Sequence, residues 1–186
     1  MSVELLRRAF TVEEYRRMAQ AGILREDDRV ELLDGEIVTM TPVGSRHAAC
    51  VNRLTHALSA RVVGRAIVSV QNPVQLGERS EPQPDLALLR SRPDFYAGAH
   101  PGPMDVLLVI EVADTSIDLD REIKVPLYAQ AAIPEVWLVD LAGGYIETYR
   151  GPGDQGYREV QRVSRGQHLS PQAFPDMRLA VEDLLG

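Results

Sequence analysis

One stretch constrains the fold more than any other: the run VLLVIEVA at residues 106–113, which is apolar at seven of its eight positions. A strand with one covered face alternates apolar and polar residues, whereas a continuous apolar run is typical of a central strand covered on both faces. Such a strand needs neighbouring strands beside it and other elements packed above and below it. An α/β fold is therefore predicted.

Capping, turn and periodicity signals predict the elements before this strand. The first is a helix that begins with a capping box at residues 11–14 and runs to about Ala21, and strands 29–33 and 36–40 follow it around the Asp34-Gly35 turn. A second helix is capped by Ser45 and runs to about Val63. After it come a strand RAIVSV, interrupted at Asn72-Pro73 and resumed as PVQL, and a strand over residues 84–90.

The same signals predict the elements after the central strand. They are a helix from Ile117 to about Ala131 with Pro126 as an imperfection, a buried strand EVWLVD, a hairpin of YIETYR and YREVQRV, a short strand around residues 177–180 and a last helical turn VEDLL. The chain shows no repeat, low-complexity segment or linker, so one domain over residues 1–186 is predicted.

Composition narrows the class of protein. No apolar run reaches the roughly 18 residues that a membrane span needs, and the first residues lack the pattern of a secretion signal. The single cysteine, Cys50, excludes an internal disulfide framework. A cytoplasmic protein without membrane contact is predicted. The net charge of −7 argues against broad, non-specific nucleic-acid binding, although a metal bound by carboxylates would offset part of that charge.

Glu111 is the one charged residue within the central strand. An ionised carboxylate buried there costs several kcal/mol unless a cation or good hydrogen-bond donors compensate it. Two structural explanations remain open, namely a buried ion pair with an arginine and a strand end that reaches solvent. The functional explanation is that Glu111 faces a cation.

Asp85 follows Pro84 at the start of its strand, a position where aspartate is also common for structural reasons. If strands 84–89 and 106–113 pair, facing side chains lie roughly 5 Å apart. Asp85 and Glu111 could then reach one divalent cation. Mg²⁺ typically takes one or two carboxylates and completes its shell with water and phosphate oxygens.

Lys124 is the only lysine among 20 basic residues, and it lies on the helix after the central strand. Asp120, Lys124 and Tyr128 share one helical face at spacing i, i+4, i+8. The structural explanation is an Asp–Lys surface pair contributing a few tenths of a kcal/mol. The functional explanation is a site that needs a compact, rotatable ammonium rather than a planar guanidinium.

Three residues outside this stretch complete the candidate site. Glu31, in the first hairpin strand, is a third carboxylate, whereas Glu36 past the turn is expected to face solvent. Gln71 could line the same cleft. His47, in the first turn of the second helix, is a candidate for contact with the metal-binding carboxylates or the substrate.

Other chemistries lack their motifs. The remaining histidines have no zinc-type spacing, and no dinucleotide, Walker or nucleophile-elbow sequence is present. Cys50 lies mid-helix and is predicted to be a small core residue.

The residues described so far resemble a known superfamily. Pro84-Asp85 followed by Glu111-Val112-Ala113 is similar to the PD-(D/E)XK motif of restriction-endonuclease-like nucleases. The segments RVELLDGEIVTMTPVGSRH, SEPQPDLALL and LLVIEVADTSIDLDREIKVPLYAQAAIPEVWLVD resemble the Uma-two family of bacterial restriction-endonuclease-like proteins. These segments extend over roughly residues 10–140.

The resemblance implies a central mixed β-sheet flanked by helices, with an N-terminal and a C-terminal hairpin. It implies that Asp85 and Glu111 hold Mg²⁺ or Mn²⁺, and Glu31 matches the acidic residue that the family carries on its first strand. The usual motif lysine lies two residues after the second acid, where this chain has Ala113. In this family the lysine is displaced to the following helix, at Lys124.

The activity implied by the resemblance is metal-dependent hydrolysis of DNA phosphodiester bonds by an endonuclease that acts as a homodimer. Two alternatives remain at this stage. The chain could be a catalytically inactive nucleic-acid-binding or interaction module that keeps the fold, which the acidic net charge and Ala113 favour. Alternatively, Asp85 and Glu111 could form structural ion pairs without a metal.

Overall fold

The computed structural model describes residues 8–25 and 27–186. Its strands are β1 (Val30–Leu33), β2 (Glu36–Thr39), β3 (Ala66–Val70), β4 (Leu86–Arg90), β5 (Val106–Ala113), β6 (Glu135–Asp140), β7 (Tyr145–Gly153), β8 (Gly156–Ser164), β9 (His168–Leu169) and β10 (Leu179–Ala180). Its α-helices are α1 (Val12–Gln20), α2 (Ser45–Val62), α3 (Ile117–Leu119), α4 (Val125–Gln130) and α5 (Val181–Leu185). None of the helices in these described ranges is long and apolar enough to cross a membrane.

Six of these strands form a central sheet in the order β3-β4-β5-β6-β7-β8. The pair β5–β6 is parallel and the other neighbours are antiparallel, so the sheet is mixed. Strands β1 and β2 form a separate hairpin before it, and β7 and β8 form the hairpin at its far edge. This architecture confirms the fold class that the sequence predicted.

Strand β5 lies between β4 and β6, and its side chains alternate between two buried apolar clusters. Leu108 and Ile110 belong to the cluster that includes Leu54 and Leu58 of α2. Val109 belongs to a second cluster that includes residues of α4. Both faces of the strand are therefore covered, as the continuous apolar run predicted.

The helix predicted from Ile117 to about Ala131 is not continuous. Its middle, Asp120–Lys124, is a π-helix, in which the Val125 N–H bonds to the Asp120 carbonyl five residues earlier. Pro126 lies two residues after its end, and a proline lacks an N–H and clashes with the carbonyl of the preceding turn in an α-helix. A wider π-turn at this point accommodates that clash.

Strand β3 ends at Val70, where the predicted RAIVSV run ends, but it does not resume after Asn72-Pro73. The backbone of Gln71 has φ of 51°, which turns the chain out of the sheet. The PVQL segment forms no strand, and the N–H groups of Val74 and Leu76 instead bond to the carbonyls of Pro82 and Ser80 at 2.9 Å each. The prediction of a resumed strand was wrong because this local loop satisfies those groups.

The first hairpin follows its turn signal. Asp34 and Gly35 have φ of 46° and 82°, as a two-residue hairpin turn requires. The hairpin is anchored to the loop before β4, because the Glu81 N–H donates to the Leu32 carbonyl at 2.8 Å. This anchoring brings Glu31, the neighbour of Leu32, against the edge of the central sheet.

Smaller elements differ from the prediction by a few residues. The N-cap of α2 is Gly44, so Ser45 begins the helix instead of capping it. The last strand begins at Leu179, and it pairs with β9, which was not predicted because two residues carry no periodic signal. The predicted capping box of α1 is present, and Cys50 is buried in the core.

Gly35 offers a test of the hairpin. Its φ of 82° is the same as that of Gly166, but a Cβ added at Gly35 would lie 2.6 Å from the Ala9 Cβ, whereas one at Gly166 would meet nothing within 4 Å. Gly35→Ala is therefore expected to lower the free energy of unfolding by about 1–2 kcal/mol more than Gly166→Ala, since only the first adds a clash to the backbone strain. Equal losses in urea titrations would contradict this packing.

Candidate metal and catalytic site

A cleft of about 210 Å³ opens where the end of β5 meets the first hairpin, the start of α2 and the π-helix. Its walls carry far more acidic than basic side chains. The charged and titratable residues that line it are Glu31, Asp85, Glu111, Asp114, Asp120, Lys124, His47 and Arg29.

Asp85 is positioned by the pairing of two central strands. Leu86 of β4 pairs with Ile110 of β5, so the next step of the antiparallel register places Asp85 opposite Glu111. The Val112 N–H donates to Asp85 Oδ2 at 2.9 Å. The predicted pairing of these two strands is confirmed, and it brings the two carboxylates to one edge of the sheet.

Two further side chains hold the Asp85 carboxylate. His47 Nε2 lies 2.9 Å from Oδ2, and Gln71 Nε2 donates to Oδ1 at 3.2 Å. The hydrogen bond to Asp85 raises the pKa of His47, with burial acting in the opposite direction. His47 Nδ1 is buried and has no hydrogen-bond partner among the residues that the structure describes. Asp85 is thus fixed from α2, from the end of β3 and from β5.

Glu111 receives two hydrogen bonds on one oxygen. Lys124 Nζ donates to Oε1 at 3.2 Å, and the Tyr128 hydroxyl donates to the same oxygen at 2.5 Å. Tyr128 is fully buried, and burial followed by the charge of Glu111 raises its pKa well above its ordinary value. Glu111 therefore pairs with a lysine, and the alternative of an arginine partner is wrong.

Lys124 also contacts two other carboxylates. Its Nζ lies 3.1 Å from Glu31 Oε1 and 4.0 Å from Asp120 Oδ1. The opposite oxygen of Glu31 accepts from the Gln83 N–H at 2.9 Å, which ties the hairpin to the loop before β4. Asp120 is in turn held by the Ser116 hydroxyl, which donates to Oδ2 at 2.8 Å.

The charges of this cluster do not balance. Three carboxylates, those of Glu31, Glu111 and Asp120, lie within 4.0 Å of the single ammonium of Lys124, and the Asp85 carboxylate lines the same cleft. Burial raises the pKa of Glu111 to about 8; Lys124 lowers it in part, and the other carboxylates raise it further. Burial alone would lower the pKa of Lys124, but the surrounding carboxylates raise it above its ordinary value. Acidic side chains therefore outnumber the cations of this cluster.

The chemistry of the donors fits Mg²⁺ or Mn²⁺, which prefer carboxylate oxygens. Within the described residues, no group of three or more His, Cys, Asp or Glu side chains is arranged to hold a metal ion. Mg²⁺ in proteins typically takes only one or two carboxylates and completes its shell with water or phosphate oxygens. Asp85 and Glu111 are the pair at the edge of the sheet that suits this role.

The structure brings together most of the residues that the sequence singled out. Glu31, Asp85, Glu111, Asp120, Lys124 and His47 line one cleft, and Tyr128 lies behind Glu111. Gln71 contacts Asp85 but lines a neighbouring cavity. Glu36 is exposed, as expected.

Sequence reasoning missed other contributors to the cleft. Asp114 and Ser116 line it, and the N–H groups of Val112 and Gln83 hold two of its carboxylates. Asp114 is the first residue after β5 and Ser116 the third, so the polar segment after this buried strand was the available signal. Main-chain donors carry no such signal.

The raised pKa of Glu111 predicts a pH dependence of stability. Its pKa is about 8 when folded against an ordinary 4.5, so between these values the folded state binds more protons than the unfolded state. The contribution of this group therefore falls as pH rises through that window, by about 1.4 kcal/mol for each pKa unit of difference. In metal-free protein, Glu111→Gln should therefore lose less stability than the parent protein as pH rises. The free energy of unfolding in urea, measured from pH 5 to pH 8.5, checks this.

Glu159→Gln, at an exposed position of β8, is the matched control and should follow the parent protein. If Glu111→Gln loses stability with pH as steeply as the parent does, Glu111 does not hold its proton in the folded state.

Comparisons with known proteins identify the family and the fold. Residues 12–182 match the model of the Uma2 family, described as "putative restriction endonuclease". The crystal structure of a putative nuclease belonging to DUF820 from Anabaena variabilis superposes with a TM-score of 0.75, at 15% identity, over 95% of this chain and 97% of that one. The comparison with curated proteins gave no match. Family and fold indicate a restriction-endonuclease-like nuclease, and the chain belongs to the Uma2 family.

Proposed function

We propose that this protein is a metal-dependent endonuclease that hydrolyses DNA phosphodiester bonds through a site of the PD-(D/E)XK type. One observation carries the proposal. The only lysine of the chain reaches from the π-helix into the cleft and lies within 3.2 Å of Glu31 and Glu111, the second of which is an acid of the motif. In this proposal, Lys124 takes the role of the lysine that the motif would have at position 113.

Asp85 and Glu111 would hold the metal, Mg²⁺ or Mn²⁺. When bound, such an ion polarises a phosphoryl oxygen and lowers the pKa of a bound water. The protein's part is to hold both carboxylates in place at the cleft. His47, Gln71 and the Val112 N–H do this for Asp85.

Lys124 would stabilise the negative charge that develops on the phosphoryl group or orient the attacking water. A preorganised donor in a water-poor site is most effective because it needs no reorganisation as the charge develops. Glu31, Asp120 and Glu111 keep the Lys124 ammonium charged and restrict its position. Glu31 and Asp120 therefore act on the reaction through Lys124, and Tyr128 acts through Glu111.

The remaining expectations belong to the same proposal. The chain would work as one domain, because the cleft draws on elements from β1 to the π-helix. It would act in the cytoplasm, where bacterial DNA is accessible. A homodimer would form along β8, which lies at the edge of the sheet and exposes residues 158–162 in succession.

A non-catalytic nucleic-acid-binding module is the second candidate. Ala113 at the usual lysine position and the net charge of −7 favour it. The two candidates differ in whether Lys124 is required for cleavage, so variants of this residue separate them.

We expect the parent protein to nick supercoiled plasmid in Mg²⁺ or Mn²⁺. Asp85→Asn should lower nicking by at least about 100-fold and weaken divalent binding in calorimetry, because it removes a charged ligand. Lys124→Met should lower nicking by about 100-fold or more, since it removes one preorganised donor, while divalent binding persists. Asp118→Asn, at an exposed position of α3, is the matched control and should nick like the parent protein.

Divalent binding without nicking by the parent would favour the non-catalytic module. An absence of divalent binding in the parent would reject the metal site itself, and with it the assignment of Asp85 and Glu111.

A further inference from the structure

A second cavity, of about 290 Å³, lies beside the cleft and has a different character. Three arginines line it: Arg46 and Arg53 of α2, and Arg165, which follows β8. None of them takes part in the chemistry proposed above. An arginine-lined cavity in a protein of net charge −7 concentrates positive charge at one place.

The two cavities share one edge of the sheet. The Leu141 N–H donates to the Ala113 carbonyl at 2.9 Å, so the end of β6 lies beside the end of β5. Leu141 lines the arginine cavity. Arg46 connects the two sites, because its Nη1 donates to Asp114 Oδ1 at 3.1 Å and Asp114 lines the cleft.

The three guanidinium groups keep unused donors. Arg46 donates to Asp114 and to the Leu141 carbonyl, and Arg53 and Arg165 donate to the main-chain oxygens of Leu185 and Gly186. Each guanidinium has five N–H donors, so these bonds occupy a minority of them. Arg53 Nε is buried and has no acceptor in the described part of the chain.

The start of α2 adds to the positive potential. The 18-residue helix begins at Ser45, which lines the cavity, and its N-cap Gly44 provides no side-chain cap. Its first turn contains no acidic residue. The free N–H groups and the positive end of the helix dipole favour an anion at this point.

We propose that this cavity binds a backbone phosphate of the nucleic-acid strand, one that flanks the bond cut in the neighbouring cleft. The inference rests on the proposed nuclease function, which supplies the strand. Guanidinium groups fit phosphate oxygens in pairs of parallel hydrogen bonds. Such contacts fix the register of a strand without reading its sequence. They also give an acidic protein a local point of attachment for a polyanion.

The proposal is tested by the salt dependence of binding. A labelled DNA duplex is titrated with protein in Ca²⁺, and anisotropy is measured from about 50 to 200 mM salt. Arg46→Gln and Arg165→Gln should each weaken binding about five- to tenfold and reduce the slope of log K against log salt by about 1. The double variant should reduce the slope by about 1 as well, because both arginines hold the same phosphate.

Arg92→Gln, which removes an equal charge from an exposed Arg92–Asp94 pair away from both cavities, should leave the slope unchanged. Arg46 and Arg165 variants that bind like this control would overturn the inference, and so would a parent protein that binds no DNA. If the Arg46 and Arg165 variants bind like the control but the parent nicks plasmid in Mg²⁺, only the phosphate site is rejected and the nuclease proposal stands. An arginine-dependent slope without nicking would instead support the phosphate site and reject the nuclease.

Discussion

The buried ammonium of Lys124 is the interaction on which the arrangement of the site depends. It joins Glu31 of the first hairpin, Glu111 of the central strand and Asp120 of its own helix. Removing a charge from water costs several kcal/mol, and only close opposite charges repay that cost. Without this ammonium, three buried carboxylic acids would lie close together with no cation between them. Lys124 therefore stabilises the packing of the hairpin, the central strand and the π-helix around the cleft.

The π-helix positions Lys124 for these contacts. Asp120 and Lys124 both lie within it, and both are buried against the cleft. Pro126, two residues after its end, disfavours a regular α-helix through this segment. The π-helix thus accommodates Pro126, and it also contains the lysine that contacts Glu111. π-turns occur frequently at functional sites for this kind of reason.

The sequence was most informative where local patterns decide the structure. The apolar run of β5 predicted a central strand, and the Asp34-Gly35 turn predicted the hairpin that carries Glu31. The high cost of burying Glu111 predicted a cationic partner, and the structure supplies Lys124. Each of these inferences uses residues within one element or at one turn.

Contacts between distant segments could not be predicted in this way. The bond between His47 and Asp85 joins residues 38 apart in sequence, and its geometry depends on how α2 packs against the sheet. The π-turn, and the loop that replaces the predicted PVQL strand, depend on which carbonyl each N–H group reaches in the folded chain. The arginine cavity is lined by residues of α2 and of the chain after β8, so no single stretch of the sequence predicts it.

Because carboxylates outnumber cations in the cleft, the proposed function depends on a bound metal ion. Asp85 and Glu111 lie opposite each other across β4 and β5, and the cleft has the oxygen donors that Mn²⁺ takes. Anomalous diffraction from crystals grown with Mn²⁺ tests this most directly. We expect a manganese peak bound to Asp85 and Glu111 in the parent protein and its loss in Asp85→Asn. A well-ordered cleft with no manganese peak would contradict the proposed metal site.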